Sequence, residues 1–406
     1  MRVPLIRCAL ILTVVFSAYL LSPALAHAGP LKFNSSTQHL WGDDMSGNSQ
    51  SIVAQYMRFG VNPEGKNFSI TGYGRAWQNF GNDSIRDDKL SGRLYYLAVD
   101  YSPIQNVNLR VGRQYINFSA GSSIMDGASL DISKLGHLGI TLAGGRDVKF
   151  SLDSEHSRLG NYFAGVDVHL QDVKSVKMGV SYARKYDEWD TAREEFGMNF
   201  RYLYKYASPY TEIKYDSISK TFNEVVWGFD IFPVSGLVLK GEYYQSYPTF
   251  DSTSIYSVFA VDQYHEYVFR GEYSFDLPVT LFASYIKQTY EDNDVADNYV
   301  LGARFYPVKD LLLNASVDRR TGFQGKQWGF EAYGDYRINK FTASLGAQYD
   351  TYSRPDEFGD SYAQRYWVGG RWAFSEQGSL AARLEKDINE NFDQRLLGRV
   401  MVSWNF

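Results

Sequence analysis

Three adjacent residues, Ser154, Glu155 and His156 in the stretch DSEHSR, have the side-chain types of a hydrolytic site. A histidine can activate a serine hydroxyl for nucleophilic attack while a carboxylate orients the ring. Neighbouring polar residues in a loop are more commonly just solvated, and the sequence has no H-E-x-x-H, G-x-S-x-G or Walker motif. We therefore predict no catalytic residues and no enzymatic activity.

Cysteine chemistry is restricted to one residue, Cys8, near the N-terminus. The rest of the chain has no thiol for a disulfide, a cysteine metal site or a nucleophile, and no Cys-x-x-Cys-His motif for covalent haem. We expect no metal site and no cofactor in this chain itself.

The N-terminal segment predicts export. Arg2 and Arg7 precede an apolar run over residues 9–21. The small-residue patterns Ala24-Leu25-Ala26 and Ala26-His27-Ala28 follow this run. A single membrane anchor is the alternative, but the run is shorter than the roughly 20 residues that span a bilayer. We predict a signal peptide over residues 1–28, cleaved after Ala26 or Ala28.

Composition narrows the class of the remaining chain, residues 29–406. Mean hydropathy is −0.34, yet 16% of the residues are aromatic, 32 of them tyrosine. This combination is typical of a sheet that is polar on one face and apolar on the other. No apolar stretch reaches the length of a spanning helix, and a net charge of −5 does not indicate a nucleic-acid binder. Without a composition shift or linker, we expect one continuous domain.

Apolar and polar residues alternate along most of the chain. For example, Phe341, Leu345 and Tyr349 share one parity, and Thr342 and Gln348 share the other. A period of two over about ten residues predicts a half-buried strand. The pattern predicts 22 strands, with 20 as the alternative because the segments 33–42 and 123–132 and the 217/221 hairpin carry the weakest pattern.

The connections between these strands alternate in kind. Short turns, such as 62–66 and 307–310, alternate along the chain with longer and often acidic segments, such as 185–195, 247–262 and 290–297. Short turns at one end and longer loops at the other are typical of an outer-membrane barrel. We predict an all-β fold: a single transmembrane antiparallel β-barrel of about 20–22 strands with short periplasmic turns and longer extracellular loops.

Charged residues on the polar parity predict a water-filled lumen. Their side chains would either bias the passage of ions or pair with one another to stiffen the wall, and no cluster indicates a specific binding site. The predicted lumen-lining residues are Arg58, Arg75, Arg110, Arg201, Lys240, Arg270, Arg304, Arg337, Arg371, Arg383, Arg399, Glu242, Glu272, Asp318, Glu331, Asp335, Asp350 and Glu385. Lys205, Arg395 and Asp100 have the same parity, so the predicted lining is more cationic than acidic.

The width of such a barrel raises the question of what fills it. Twenty-two strands about 4.8 Å apart and tilted by about 40° give a backbone diameter of roughly 44 Å. The first predicted strand begins so close to the cleavage site that we expect no N-terminal plug. The candidates are therefore an inward-folded loop, at 118–135 or 247–262, or a partner protein.

The last residues, VMVSWNF, resemble the C-terminal assembly signal of Gram-negative outer-membrane barrels, with Val400, Val402, Trp404 and Phe406 at alternate positions. The resemblance implies location in the outer membrane, contact with its lipid and recognition by the barrel-assembly machinery.

A second resemblance concerns function. The stretches LWGDD (40–44), QYMRFGVNPEGKNFSITGYGR (55–75) and VGRQYINFSAGSSIMDGASLDI (111–132) resemble the barrel component of porin–cytochrome conduits. That family implies a sheath that lets electrons cross the outer membrane to extracellular acceptors. Its partners would be a periplasmic and an outer-surface multihaem cytochrome, which alone would carry the haem. The alternative is a passive or substrate-selective diffusion porin for small hydrophilic solutes.

Overall fold

The alternating segments form one continuous antiparallel sheet in the computed structural model. The described residues are 31–43, 47–81, 90–150, 155–171, 173–248, 263–291, 294–323, 325–353, 361–390 and 392–406. The strands are β1 (Leu31–Asp43), β2 (Ser49–Val61), β3 (Phe68–Asn79), β4 (Ser91–Ile104), β5 (Val107–Phe118), β6 (Gly121–Leu135), β7 (Leu138–Asp147), β8 (Lys149–Phe150), β9 (Glu155–His156), β10 (Tyr162–Leu170), β11 (Val176–Asp187), β12 (Asp190–Tyr202), β13 (Ala207–Asp216), β14 (Thr221–Ile231), β15 (Leu237–Ser246), β16 (Tyr264–Ser274), β17 (Val279–Tyr290), β18 (Val295–Val308), β19 (Leu311–Gly322), β20 (Gly325–Ile338), β21 (Phe341–Ser353), β22 (Ser361–Trp372), β23 (Gly378–Asn389) and β24 (Phe392–Asn405).

The sheet closes on itself. Twenty-two strands pair with their neighbours in chain order, and β1 pairs with β24 from Asn34↔Asn405 to Gly42↔Leu397. Beyond the ladder, the amide of Phe33 donates to the carbonyl of Phe406 at 3.0 Å, and the reverse bond measures 2.8 Å. The prediction of 22 strands is confirmed and the alternative of 20 is wrong. Among the strands of the described residues, only β8 and β9 lie outside the wall, as a two-stranded hairpin between β7 and β10.

The two faces of the wall differ as the alternation predicts. Residues that are directly opposite in register share a face, so one parity can be followed from strand to strand around the barrel. One face presents large apolar side chains, including Leu301, Leu345 and Val368, which are 59%, 66% and 56% exposed. Such exposure of leucine and valine around a closed wall fits contact with hydrocarbon.

Aromatic side chains concentrate toward both ends of this apolar face. At the periplasmic end, Trp404 packs edge-on against Phe374 at 4.9 Å and stacks with Phe406 at 6.2 Å. Toward the extracellular end, Tyr285 and Tyr299 stack at 4.9 Å. Two aromatic girdles flanking an apolar band are the mark of a barrel that spans a bilayer, because these rings favour the membrane–water interface.

Some predicted connections are shorter than expected. The segment 185–195 is not a long loop, because β11 and β12 meet in a turn at Glu188 and Trp189, both with positive φ. Of the segment 290–297, Tyr290 belongs to β17 and residues 295–297 belong to β18. Residues 249–262, most of the segment 247–262, lie outside the described residues, as does the predicted signal peptide. No helix in the described ranges is long and apolar enough to cross a bilayer.

The closing contact leads to a first prediction. Phe406→Ala removes an apolar ring at the lipid interface beside Trp404 and Phe33, and burial of such a ring is worth about 1.5–3 kcal/mol. We expect several-fold less folded barrel in outer-membrane fractions, measured as the heat-modifiable band in gel electrophoresis. Asn405→Ala, which removes a side chain on the polar face of the same strand, is the control. Equal loss in both variants would contradict a specific role for the terminal ring.

Candidate pore and its inward-folded hairpin

The hairpin of β5 and β6 leaves the wall at its extracellular end. Pairing of β4 with β5 stops at Leu97↔Arg113, and pairing of β6 with β7 stops at Met125↔Asp147, while β5 and β6 stay paired to Phe118↔Gly121. The bend begins at Gly112, whose φ of +125° favours glycine. A Cβ there would lie 2.3 Å from the carbonyl oxygen of Leu97.

The tip of this hairpin packs against the inner face of the neighbouring strands β10, β11 and β12. Phe118 lies 6.3 Å from Phe163 of β10, within an apolar cluster that includes Ile116, Met125 and Ala183. Phe163 and Met125 are 1% and 0% exposed. Because Phe163 and Ala183 share the polar parity of their strands, the cluster lies inside the barrel. This docking contact explains why apolar side chains lie on the otherwise polar inner face of the wall.

Polar contacts fix the turn of the hairpin. The amide of Ala120 donates to Ser181 Oγ of β11 at 2.7 Å, and the amide group of Asn199 in β12 donates to Ser119 Oγ. A Cβ on Gly197 of β12 would lie 2.1 Å from the backbone nitrogen of Ala120, so only glycine permits this close approach. The hairpin tip therefore reaches from β5 and β6 to the inner surface of β12.

A largely buried arginine, Arg113, links the base of the hairpin to the β8–β9 hairpin. Arg113 donates to both carboxylate oxygens of Asp126, at 2.7 and 2.8 Å, and lies 2.7 Å from Glu155 of β9. Its side chain is only 11% exposed, and a bidentate pair of this kind is geometrically specific. Glu155 thus serves an ion pair, whereas Ser154 lies outside the described residues. The prediction of no catalytic residues stays a prediction.

The expectation of an inward-folded loop at 118–135 is therefore correct for its tip and wrong for its length. Residues 121–135 form β6, and only Ser119 and Ala120 make the turn. Gly121 lies at the tip, whereas Gly127 packs within the wall opposite Gly145. The hairpin doubles the wall over β10, β11 and β12 and narrows the lumen on that side.

The predicted lumen-lining residues all lie on the face opposite to the apolar one. Register connects them strand by strand, for example Lys240↔Arg270 and Arg383↔Arg399. The structure places Arg58, Arg75, Arg110, Arg201, Lys240, Arg270, Arg304, Arg337, Arg371, Arg383, Arg399, Glu242, Glu272, Asp318, Glu331, Asp335, Asp350 and Glu385 on this polar face. An effect of these side chains on ion passage stays a prediction.

Several of these charges pair within the wall. Lys240 lies 2.9 Å from Glu242, and Arg304 lies 2.5 Å from Glu272. Arg365 and Asp387 also lie on the polar face. They are absent from the predicted lining because they lie near strand ends. Arg365 bonds Asp387 at 3.0 Å. Partly exposed pairs of this kind contribute at most about 1 kcal/mol each, so they orient the lining more than they stabilise it.

Charge is segregated around the polar face. Across β22–β24 and β1–β5 the cations Arg365, Arg371, Arg383, Arg395, Arg399, Arg58, Arg75, Arg93 and Arg110 outnumber the acids Glu385, Asp387 and Asp100. Acids outnumber cations across β19–β21, where Asp318, Glu331, Asp335 and Asp350 lie among Arg320 and Arg337. The expected cationic lean therefore belongs to one arc of the wall, and the field across the lumen has a direction.

Comparisons with known proteins bear on the fold. No protein-family model and no curated protein sequence matches the chain. Among solved structures, it resembles the siderophore receptor PirA from Pseudomonas aeruginosa, with a TM-score of 0.62, 9% identity, and coverage of 93% of this chain and 80% of that one. OccAB2 from Acinetobacter baumannii gives a TM-score of 0.50 at 9% identity, covering 93% and 97%.

A chain of the E. coli P pilus tip assembly intermediate PapC-PapD-PapK-PapG gives a TM-score of 0.55 at 10% identity, covering 92% of this chain and 60% of that one. At such identities a likeness concerns the fold and not the function. The chain has the fold of an outer-membrane β-barrel. The resemblance to the conduit barrels stays a prediction.

Docking of the hairpin gives a second prediction. Phe118→Ala removes the ring that packs on Phe163, and such truncations cost about 3–5 kcal/mol where the ring is buried. We expect the tip to detach and single-channel conductance in planar bilayers to rise and become noisy. Tyr115→Ala, which truncates a side chain that is 57% exposed on the same strand, is the control. Unchanged conductance in Phe118→Ala would show that the hairpin does not limit the pore.

Proposed function

We propose that the protein is a diffusion porin for small hydrophilic solutes. The observation that carries the proposal is the hairpin tip held inside the lumen by Phe118, by the Ala120–Ser181 hydrogen bond and by the close approach at Gly197. A barrel of roughly 44 Å would otherwise be a wide hole. A wall segment that folds inward narrows it without a second protein, and the charged lining keeps the remaining passage wet.

The segregated charge supports a preference within this function. Cations such as Arg371, Arg383 and Arg399 line one arc, and acids such as Glu331 and Asp350 line another. Rings and arcs of one charge bias which ions enter a pore. Anionic solutes are expected to pass along the arginine arc, and zwitterionic solutes to align across the lumen.

The conduit function implied by the N-terminal resemblance has weaker support. A sheath must leave its lumen clear for a folded cytochrome, whereas here the tip of β5–β6 lies inside the barrel on β10, β11 and β12. The two functions are separable by composition. A barrel purified from gently solubilised membranes without haem-stained bands, from cells that make abundant cytochromes, supports the porin.

A third prediction tests the charged arc. Arg371→Gln, Arg383→Gln and Arg399→Gln combined remove positive charge facing the lumen, so anions lose attraction and the zero-current potential under a KCl gradient should shift toward cation selectivity. The mirror variant, Glu331→Gln with Asp335→Asn and Asp350→Asn, should shift it the opposite way. Shifts of the same sign, or none, in folded channels would contradict the proposal, as would the absence of any conductance in the unaltered protein.

A further inference from the structure

A groove of 710 Å³ runs across the apolar outer face between β14 and β20. Its floor is formed by Gly271 and Ala283, which are directly opposite in register on β16 and β17. The flanking positions in the same row are the bulky Leu239 and Leu301. Two neighbouring strands without large side chains leave a depression about 10 Å wide, the width of two strand spacings, which accommodates a hydrocarbon chain.

Aromatic rings bound the groove on its extracellular side. Phe269 and Tyr285 lie one pleat above Gly271 and Ala283, with ring planes 8° apart and centroids 6.5 Å apart. Tyr299 continues this row on β18 and stacks on Tyr285. The part of the groove toward the membrane centre is therefore apolar, and its extracellular end is bounded by a row of aromatic rings at the level of the extracellular girdle.

Cationic side chains lie on the same outer face at and above these rings. Arg319 of β19 is directly opposite Tyr299 and is held 5.1 Å over the ring of Trp328. Lys287 and Lys326 lie on the same face closer to the strand ends, and all three cationic side chains are exposed. One acid shares this region: Asp297, which is opposite Lys287 and accepts a hydrogen bond from Tyr285 at 2.7 Å.

We propose that this groove binds a phosphorylated lipid of the outer leaflet, with an acyl chain along Gly271 and Ala283 and the phosphate at Arg319, Lys287 and Lys326. An anion at headgroup level complements an outward-facing arginine at the margin of the apolar band, and a guanidinium matches phosphate geometry. A second copy of the chain fits less well, because a two-fold axis along the membrane normal keeps heights equal and brings like charges together.

This site is independent of the proposed function, since it lies on the opposite face of the wall from the lumen. The test uses the purified folded barrel in detergent and native mass spectrometry with lipid A, either with its phosphate groups or enzymatically stripped of them. We expect retention of the phosphorylated form only. Replacing Arg319, Lys287 and Lys326 together by glutamine should weaken binding by at least about ten-fold, the effect of losing one charge-assisted hydrogen bond.

Two further variants make the result specific. Lys386→Gln removes an exposed cation at a comparable height on the outer face of β23, away from the groove, and should bind as the unaltered protein does. Ala283→Phe fills the floor and should reduce binding while leaving channel conductance unchanged. Equal retention of both lipid forms overturns the proposal, and so does unchanged lipid binding in the triple variant. The proposal is also overturned if the groove variants convert a stable oligomer to monomer.

Discussion

The structure depends on the backbone hydrogen bond in a medium without water. In hydrocarbon, each unpaired amide or carbonyl costs several kcal/mol, so a sheet that crosses the bilayer must have no edge. Here that requirement is met where β1 meets β24, in a ladder extended to the last residue by the reciprocal bonds of Phe33 and Phe406. Because the sheet is closed, alternate residues of every strand face either the outside or the inside of the barrel.

The other features follow from this division. The outside must satisfy lipid, which accounts for exposed leucines in the band and aromatic rings at its two borders. The inside must hold water, and its charges can lie close because they pair across strands, as Arg365 does with Asp387. A lining that contains paired charges is still directional, because cations outnumber acids across β22–β24 and acids outnumber cations across β19–β21.

Much of the wall could be predicted from the sequence because closure imposes a period of two on every strand. Even the weakest predictions, 33–42 and 123–132, correspond to β1 and β6. The errors fall at the extracellular ends. In KYDEWDTAREE, acidic residues indicated a loop, yet residues 190–193 already belong to β12, because charge is tolerated above the hydrocarbon and the alternating pattern fades there.

The inward hairpin could not be predicted in full because its causes are not periodic. It depends on a bend at Gly112 and on room at Gly197, two glycines that in the sequence look like any other strand glycine. The sequence offered 118–135 as one of two candidate segments. The partner surface on β10, β11 and β12 could be known only from the register that brings Phe163, Ser181 and Asn199 close together.

The hairpin can leave the wall only at the end where it does. Its departure removes the β5 partner from the upper part of β4, and the described contacts show polar and aromatic compensation. Arg113 donates to the carbonyl of Leu94 at 3.1 Å, and Tyr95 and Arg93 pack against Phe150 of β8. In hydrocarbon an arginine could not serve this purpose without a large desolvation cost. At headgroup level it can, so the extracellular rim is where a wide barrel is able to use part of its own wall to narrow its lumen.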